Sequence, residues 1–332
     1  MAGPFALSLL FKFGSAVGRI ASYLFIRERK TAQAQLLFAL ENDARFRGSC
    51  PIERLEQRAK KLSHDVFAHV GRLVAEALVI KHLVRRKPAE LHHLQGKTPF
   101  RFIHSQVNDP IEKLNSSGEQ SLVALSAHLG CFELLAAYYV ALGHRVYVIG
   151  RIPNYQLLYT LLDALRRGYG VVTLWRNSPR SAAKLLQAIR GGGVIAALVD
   201  QDTNLESSFV PFFGVRAAHP HAPIDLAIRY HLPIVSTFIV RGQKLEHQVI
   251  TEQIEYDPND PMAREAVLTE FSRRLETLIS SYPDQWIWWH RRWRRRDGVD
   301  YRRNPNLLPG TADYLSWLTT YHQSNAARKQ VG

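Results

Sequence analysis

Ser121–Tyr139, SLVALSAHLGCFELLAAYY, is the stretch on which the fold turns. An apolar run, Leu122 to Ala127, reads as a buried strand and ends at His128. A second apolar run, Phe132 to Leu142, has the length and composition of a helix. A strand passing into a helix within a few residues is the building unit of an α/β fold. Glu133 follows His128 by five residues, with Gly130 between them. In one continuous helix such residues face different ways, because a turn takes about 3.6 residues. If the helix begins after His128, the histidine occupies the strand-to-helix turn and the acid the first helical turn, favourably placed against the positive helix end. The two can then meet, and an imidazole oriented by a carboxylate at the mouth of a strand is a general-base arrangement. A buried histidine beside an unrelated surface acid fits the same residues.

Outward from this unit the alternation continues. Arg145 to Ile149, Val171 to Trp175 and Val194 to Val199 read as strands, with helices at Asn154 to Arg167 and Ser181 to Arg190. Gly191-Gly192-Gly193 is a helix stop and not a dinucleotide loop, since no G-x-G-x-x-G follows a strand. Pro223 to Tyr230 and Pro261 to Ser281 read as helices, Ile234 to Val240 and Glu246 to Ile254 as strands, and a short strand is expected near Phe100 to Ile103. The expected fold class is α/β, a central mixed sheet flanked by helices. His128, Arg151 and Asp200 each follow a predicted strand. The carboxyl ends of strands line the ligand crevice of open α/β sheets, so these residues are expected to converge on one cleft.

The N-terminal segment Pro4 to Ile26, PFALSLLFKFGSAVGRIASYLFI, is apolar but interrupted by Lys12 and Arg19. Ala6, Leu9, Leu10, Phe13, Val17, Ile20 and Leu24 make one stripe at helical spacing. Lys12 and Arg19 share a side from which they can snorkel to headgroups, and Arg27, Arg29 and Lys30 follow. A spanning helix wants ~20 apolar residues with few charges, so an interfacial anchor is the better reading. No basic residue precedes the apolar run, which argues against a cleaved signal peptide. Residues 1–30 are therefore set apart as a membrane-associating helix, 31–303 as the main domain (helical lead-in 31–100, α/β core 100–303) and 304–332 as a polar tail. In the lead-in, Thr31 to Glu41 and Ile52 to about Arg85 read as helices, the second amphipathic.

At 332 residues and 46% hydrophobic, the chain can bury a large core. Lys+Arg 43 against Asp+Glu 29 gives a formal +14, which implies an acidic partner: nucleic acid, an anionic membrane surface or an acidic carrier protein. Cys50 and Cys131 suggest a reducing compartment more than a disulfide scaffold. Cys131 lies among apolar neighbours and is not expected to be a nucleophile. His219 and His221 flank Pro220 without a further ligand motif, so no metal is expected there. The run Trp286 to Arg296, WIWWHRRWRRR, interleaves aromatics with arginines. That chemistry suits single-stranded nucleic acid and a membrane interface alike.

HLGCFE at 128–133 fits the H-x4-D/E signature of glycerolipid-type acyltransferases. The surrounding chain resembles one branch, the late (secondary, lauroyl/myristoyl) acyltransferases of lipid A synthesis and their lipid-acylating relatives. Val148 to Arg151 (VIGR), Leu198 to Asp202 (LVDQD), Val210 to Gly214 (VPFFG) and Gln285 to Trp293 (QWIWWHRRW) match in order, and the resemblance covers roughly Leu36 to Arg296. It implies a membrane-associated O-acyltransferase with a glycerolipid acyltransferase-like fold, at the cytoplasmic face of the bacterial inner membrane. The acyl group would pass from acyl carrier protein, or from CoA, to a hydroxyl of a lipid A precursor. No cofactor beyond the thioester co-substrate, no metal and no nucleic-acid partner is implied. His128 would be the general base and Glu133 its orienting acid. Arg151, Arg166 (in the R-x3-G pattern ending at Gly170) and Arg292 would bind substrate, with Arg294 to Arg296 on the surface. Asp200 and Gln201 would support the cleft or touch substrate, and Phe212 and Phe213 would line the acyl path or pack in the core. His219 stands where relatives often have threonine. Two alternatives stay open: an acyltransferase for another phospholipid or glycolipid, such as an ornithine lipid or a mannosylated phosphoinositide, and a basic nucleic-acid-binding protein on a degenerate acyltransferase fold.

Overall fold

The computed structural model describes residues 4–84, 101–104, 110–114, 120–153, 155–176, 178–243, 245–295, 314–316 and 318. The stretch 85–100, Arg296 and most of the expected tail lie outside the described residues. The apolar runs of the alternating region form a seven-stranded sheet, ordered β1-β9-β8-β2-β5-β3-β4. These are Arg101–His104 (β1), Leu122–Ser126 (β2), Val146–Gly150 (β3), Val172–Trp175 (β4), Val194–Leu198 (β5), Ile234–Arg241 (β8) and Glu246–Ile254 (β9). β8, β2, β5, β3 and β4 run parallel, while β9 is antiparallel to β8 and β1 parallel to β9, so the sheet is mixed. β2 is central and buried at every position, as expected of a parallel strand covered on both faces.

The chain groups into two units. The first comprises Met1–Gly14, Arg72–Val199 and Ala222–Val267 and holds the sheet. Its core gathers Leu122, Ala124, Leu134, Val146, Val235 and Ile239. Helices Phe132–Ala141 (α6), Gln156–Gly168 (α7) and Pro179–Arg190 (α8) connect β2 to β3, β3 to β4 and β4 to β5. A buried carboxylate, Glu76, is matched there by Arg241, through Nε and Nη2 at 2.8 Å each, and by Arg72 Nε at 2.9 Å.

The second unit, Ser15–Gly71, Asp200–His221 and Leu268–Gly332, is built on aromatics. Phe212, Phe213, Trp286, Trp288 and Trp293 are all sealed from solvent. Its hairpin, Ser207–Phe212 (β6) with Val215–Pro220 (β7), was not expected from the sequence. Pro211 and Pro220 break the strand pattern, so the residues lack the alternation that announces strands. The VPFFG motif is the hairpin's turn: Phe213 and Gly214 have φ of +50° and +75°, as a two-residue type I′ connection requires. Glu276 accepts the Phe213 N–H at 2.6 Å and so holds the phenylalanine in that conformation.

Near the N-terminus, Pro4–Leu24 is one helix (α1), and Ile26–Asn42 (α2) starts directly after a break at Phe25. Arg27, Arg29 and Lys30 therefore lie in a helix, not in a linker.

Candidate active site

His128 stands just beyond β2, in the turn that precedes α6. The turn is shaped by Gly130, whose φ is +59°. A Cβ at Gly130 would lie 1.8 Å from the Ile239 carbonyl oxygen of β8, so only glycine lets the turn sit against that strand. The half-buried His128 ring meets Phe132 edge-on, with centroids 5.1 Å apart.

Glu133 falls in the first turn of α6. Its carboxylate accepts Arg166 Nε at 3.0 Å and Nη2 at 2.6 Å, a fork-on-fork pair, and the Tyr169 hydroxyl at 2.8 Å. Burial pushes the Glu133 carboxyl upward, but the Arg166 charge and hydrogen bonds, then Tyr169 and the His128 charge, more than offset it and hold the group below its usual range. Burial, reinforced by Glu133, drives the Tyr169 hydroxyl far up, so it stays a donor. Arg166 in turn lies over the Trp175 ring at 5.8 Å, and Trp175 Nε1 donates to Asp163 at 2.9 Å. Glu133 is thus an acid held ionised by Arg166 and Tyr169, and the nearby His128 charge acts on it in the same direction. Arg166, expected to bind substrate, is 8% exposed and committed to Glu133.

Arg151 follows β3 and is exposed. Arg176, which sequence reasoning passed over, follows β4, and its N–H donates to the Gly150 carbonyl at 2.9 Å. Burial, then the like charge of Arg151, lowers the Arg176 guanidinium, so two cations stand together at neighbouring strand ends. The signal for Arg176 was available, since it follows its strand as Arg151 follows its own. A small apolar slit of about 40 Å³ runs under α6 from Glu133 and Arg166, past Ala124, Ala136, Ala196 and Tyr139. Small residues at facing sheet and helix positions leave this gap.

Cys131, Glu76 and His247 bring ligand atoms within 4.8 Å of one another, all buried. Glu76 is already matched by two guanidiniums, which would oppose a cation there, so the cluster reads as a buried ion-pair network. Burial, then Glu76, pushes the Cys131 thiol well above its usual range, the reverse of what a nucleophilic thiolate needs.

In the second unit, Asp200 follows β5, is buried, and accepts Trp286 Nε1 at 2.8 Å. Phe212 and Phe213, offered as acyl-path residues or as core, are core: Phe212 packs on Trp286 and Trp293, Phe213 on Phe46 and Trp288. Arg292, expected to point inward and to bind substrate, is buried among protein groups. It is 0% exposed, its guanidinium donates to the Ala218 carbonyl and contacts His219, and its N–H donates to Gln35 Oε1 at 2.6 Å. Burial lowers it to about 10. Gln35 escaped sequence reasoning altogether. Its amide nitrogen donates to the Trp288 and His290 carbonyls, and its oxygen also accepts Tyr314, so one side chain clasps the tryptophan-rich segment. Gln201 lines a polar cavity with Arg27, Arg291 and Arg294. His219 and His221 turn to different partners, Arg292 and Ser208.

The model of one family, described as bacterial lipid A biosynthesis acyltransferase, matches residues 5–295. No curated protein matches the chain.

Proposed function

The chain belongs to the bacterial lipid A biosynthesis acyltransferase family, and we propose that it is a membrane-associated O-acyltransferase. It moves a fatty acyl group from an acyl carrier protein or coenzyme A thioester to a hydroxyl of a lipid A precursor. The observation that carries this reading is the clamp of Arg166 and Tyr169 on Glu133 behind the His128 turn. In the proposed step, His128 takes the hydroxyl proton as the oxygen attacks the thioester carbonyl. Glu133 stabilises the imidazolium that forms. The tetrahedral oxyanion collapses, the C–S bond breaks, and the departing sulfur takes the proton from the imidazolium. One C–O bond replaces one C–S bond with no net change in protons, and no enzyme nucleophile is needed. Arg151 and Arg176 supply positive charge for the oxyanion or a substrate phosphate. The slit under α6 is apolar and reaches Glu133, but at about 40 Å³ it holds little more than one water, so an acyl chain would have to widen it.

Membrane association rests on α1. Phe5, Leu9, Phe13, Val17, Ile20 and Leu24 recur every three or four residues and are 47–84% exposed. The opposite face is buried at Leu7, Phe11, Gly14, Gly18 and Ser22. A Cβ at Gly18 would lie 2.1 Å from the Phe67 carbonyl oxygen, so the helix is seated closely there. Phe5–Leu24 is long and apolar enough to cross a membrane. A helix docked along one face and apolar on the other fits the interface better. Lys12 and Arg19 flank the stripe, and Arg19 reaches Asp65 at 2.6 Å. The free cysteines Cys50 and Cys131 suit the reducing, cytoplasmic side of the inner membrane.

The test is acyl transfer by the purified full chain, with carrier-protein and coenzyme A thioesters offered separately to a lipid A precursor. His128→Ala should lower kcat by about 10²–10⁴-fold while the circular dichroism spectrum is kept. Turnover retained by that variant removes His128 as the base, and no turnover by the unaltered chain with either donor removes the substrate assignment.

A further inference from the structure

Arg166 is held from two sides. Its fork meets the Glu133 carboxylate, and its guanidinium carbon lies 5.8 Å from the centre of the Trp175 ring. A cation within about 6 Å of an indole face is attracted by the negative π cloud. Trp175 is the last residue of β4 and is buried, at 7% exposure. Both its backbone and its ring are fixed. Its carbonyl accepts Ser181 Oγ at 2.7 Å. Its indole N–H donates to Asp163 at 2.9 Å, and Arg167 holds Asp163 in turn at 2.9 Å. Tyr159 meets the ring edge-on, with centroids 5.2 Å apart. A Cβ at Gly150 of β3 would lie 3.2 Å from the ring's Cζ3, so the missing side chain there makes room for the indole. Asp163 and Arg166 are three residues apart on α7 and so share a face. One helix thus supplies both the acid at the ring's edge and the cation over its face. The bond from the indole N–H to a carboxylate polarises the ring toward negative charge and strengthens its attraction for the cation.

The consequence falls on Glu133. Arg166, Tyr169 and His128 act on its charge, and the Cys131 thiol within reach of it is kept neutral by burial and by Glu76 of the helix Leu55–Val84. Arg151 and Arg176 at the neighbouring strand ends add a constant positive background. His128 and Arg166 share one carboxylate, so charge that Arg166 neutralises is withheld from an imidazolium on His128. That division depends on how fixed and how dry Arg166 is, because water beside the guanidinium raises the local dielectric and screens it from Glu133. We propose that Trp175 is a positioning residue: by covering Arg166 it fixes how the Glu133 charge is divided between Arg166 and His128. Its importance for catalysis rests on the acyltransferase reading above, whereas the division of charge does not.

The test follows the titration of His128 by NMR in the full chain, labelled with carbon-13 at histidine Cε1 and held in detergent micelles, with His128→Ala identifying the resonance. Trp175→Leu removes the ring and lets water reach Arg166. Glu133 then acts more fully on the imidazolium, and the His128 midpoint should rise by about half a pH unit. Trp175→Phe keeps a weaker ring face, gives up the bond to Asp163, and should raise the midpoint by less; it carries the same test if Trp175→Leu does not fold. Combined with Glu133→Gln, Trp175→Leu should move the midpoint no further, because no charge is left to divide. Leu275→Ala, a buried change in the second unit, should lower the melting temperature and leave the midpoint where it was. A midpoint that stays or falls when the ring is removed overturns the proposal. So does an equal rise in Leu275→Ala, or a rise that persists beside Glu133→Gln. Acyl transfer is read separately: in Trp175→Leu the acid limb of kcat/KM should move with the His128 midpoint, and plateau kcat should fall about tenfold with KM kept. A chain that transfers no acyl group removes the enzymatic reading alone and leaves the midpoint to decide the role of Trp175.

Discussion

Glu133 concentrates the chemistry of the candidate site in one carboxylate. Replacing it by glutamine keeps the shape and strands the Arg166 charge, so Glu133→Gln should cost about 3–5 kcal/mol of stability, as for other broken buried pairs. Its kcat should also fall, by about 10²-fold or more, because the imidazolium loses its counter-charge. The pH dependence has a definite sign. The folded-state pKa of Glu133 is depressed, so its contribution is full above the unfolded value of about 4.3 and is lost as pH falls through the folded value. Denaturant unfolding should therefore show a gap between the unaltered chain and Glu133→Gln that is wide at pH 7 and narrows at about pH 3. Tyr169→Phe removes a single hydrogen bond to the same charge and should cost less, about 1.5–3 kcal/mol.

At the scale of elements, the strand-to-helix turn depends on a glycine for two separate reasons. Gly130 combines a left-handed backbone with a close approach to β8, whereas Gly48 has nearly the same φ, +57°, and open space around it. Gly48→Ala should then cost only the backbone strain of φ +57° with ψ −139°, a conformation almost confined to glycine, about 1–3 kcal/mol. Gly130→Ala should cost more than that, because the Ile239 carbonyl must also move. Activity of Gly130→Ala should fall further than its stability, since the turn carries His128. Thermal melts and kcat measured on both variants check the contrast. The β6–β7 hairpin makes a related point: VPFFG, whose phenylalanines read as acyl path or as core, ends in a tight turn and packs them in an aromatic core.

At the scale of the whole molecule, one face of α1 is buried and the other is apolar and exposed, the face that the proposed membrane association would use. Phe13→Ser/Ile20→Ser alters the exposed stripe, at 65% and 63% exposure, and should leave thermal stability unchanged. Partitioning onto anionic vesicles should drop at least about a hundredfold, from ~1.5 kcal/mol or more per side chain withdrawn from lipid. Leu7→Ser, on the buried face, should do the opposite, lowering the melting temperature with little change in vesicle binding per folded molecule. Vesicle sedimentation alongside thermal melts separates the two faces.

Local pattern carried much of this protein in the order of its residues. The alternation of apolar runs between Leu122 and Ile254 set the α/β class, and the spacing of His128, Gly130 and Glu133 set a histidine in a turn and an acid in the following helix. Both depend on neighbours within a few residues, where periodicity and backbone preference act. The partners of those side chains were decided only in three dimensions. Glu133 meets Arg166 and Tyr169, 33 and 36 residues away, and Gln35 meets Arg292 across 257. A buried guanidinium and a substrate-binding one are the same letter, and burial with the nearest carbonyl or carboxylate tells them apart. Arg292 therefore became a clasp and Arg291 a cavity wall, a division that packing imposes and sequence order does not contain.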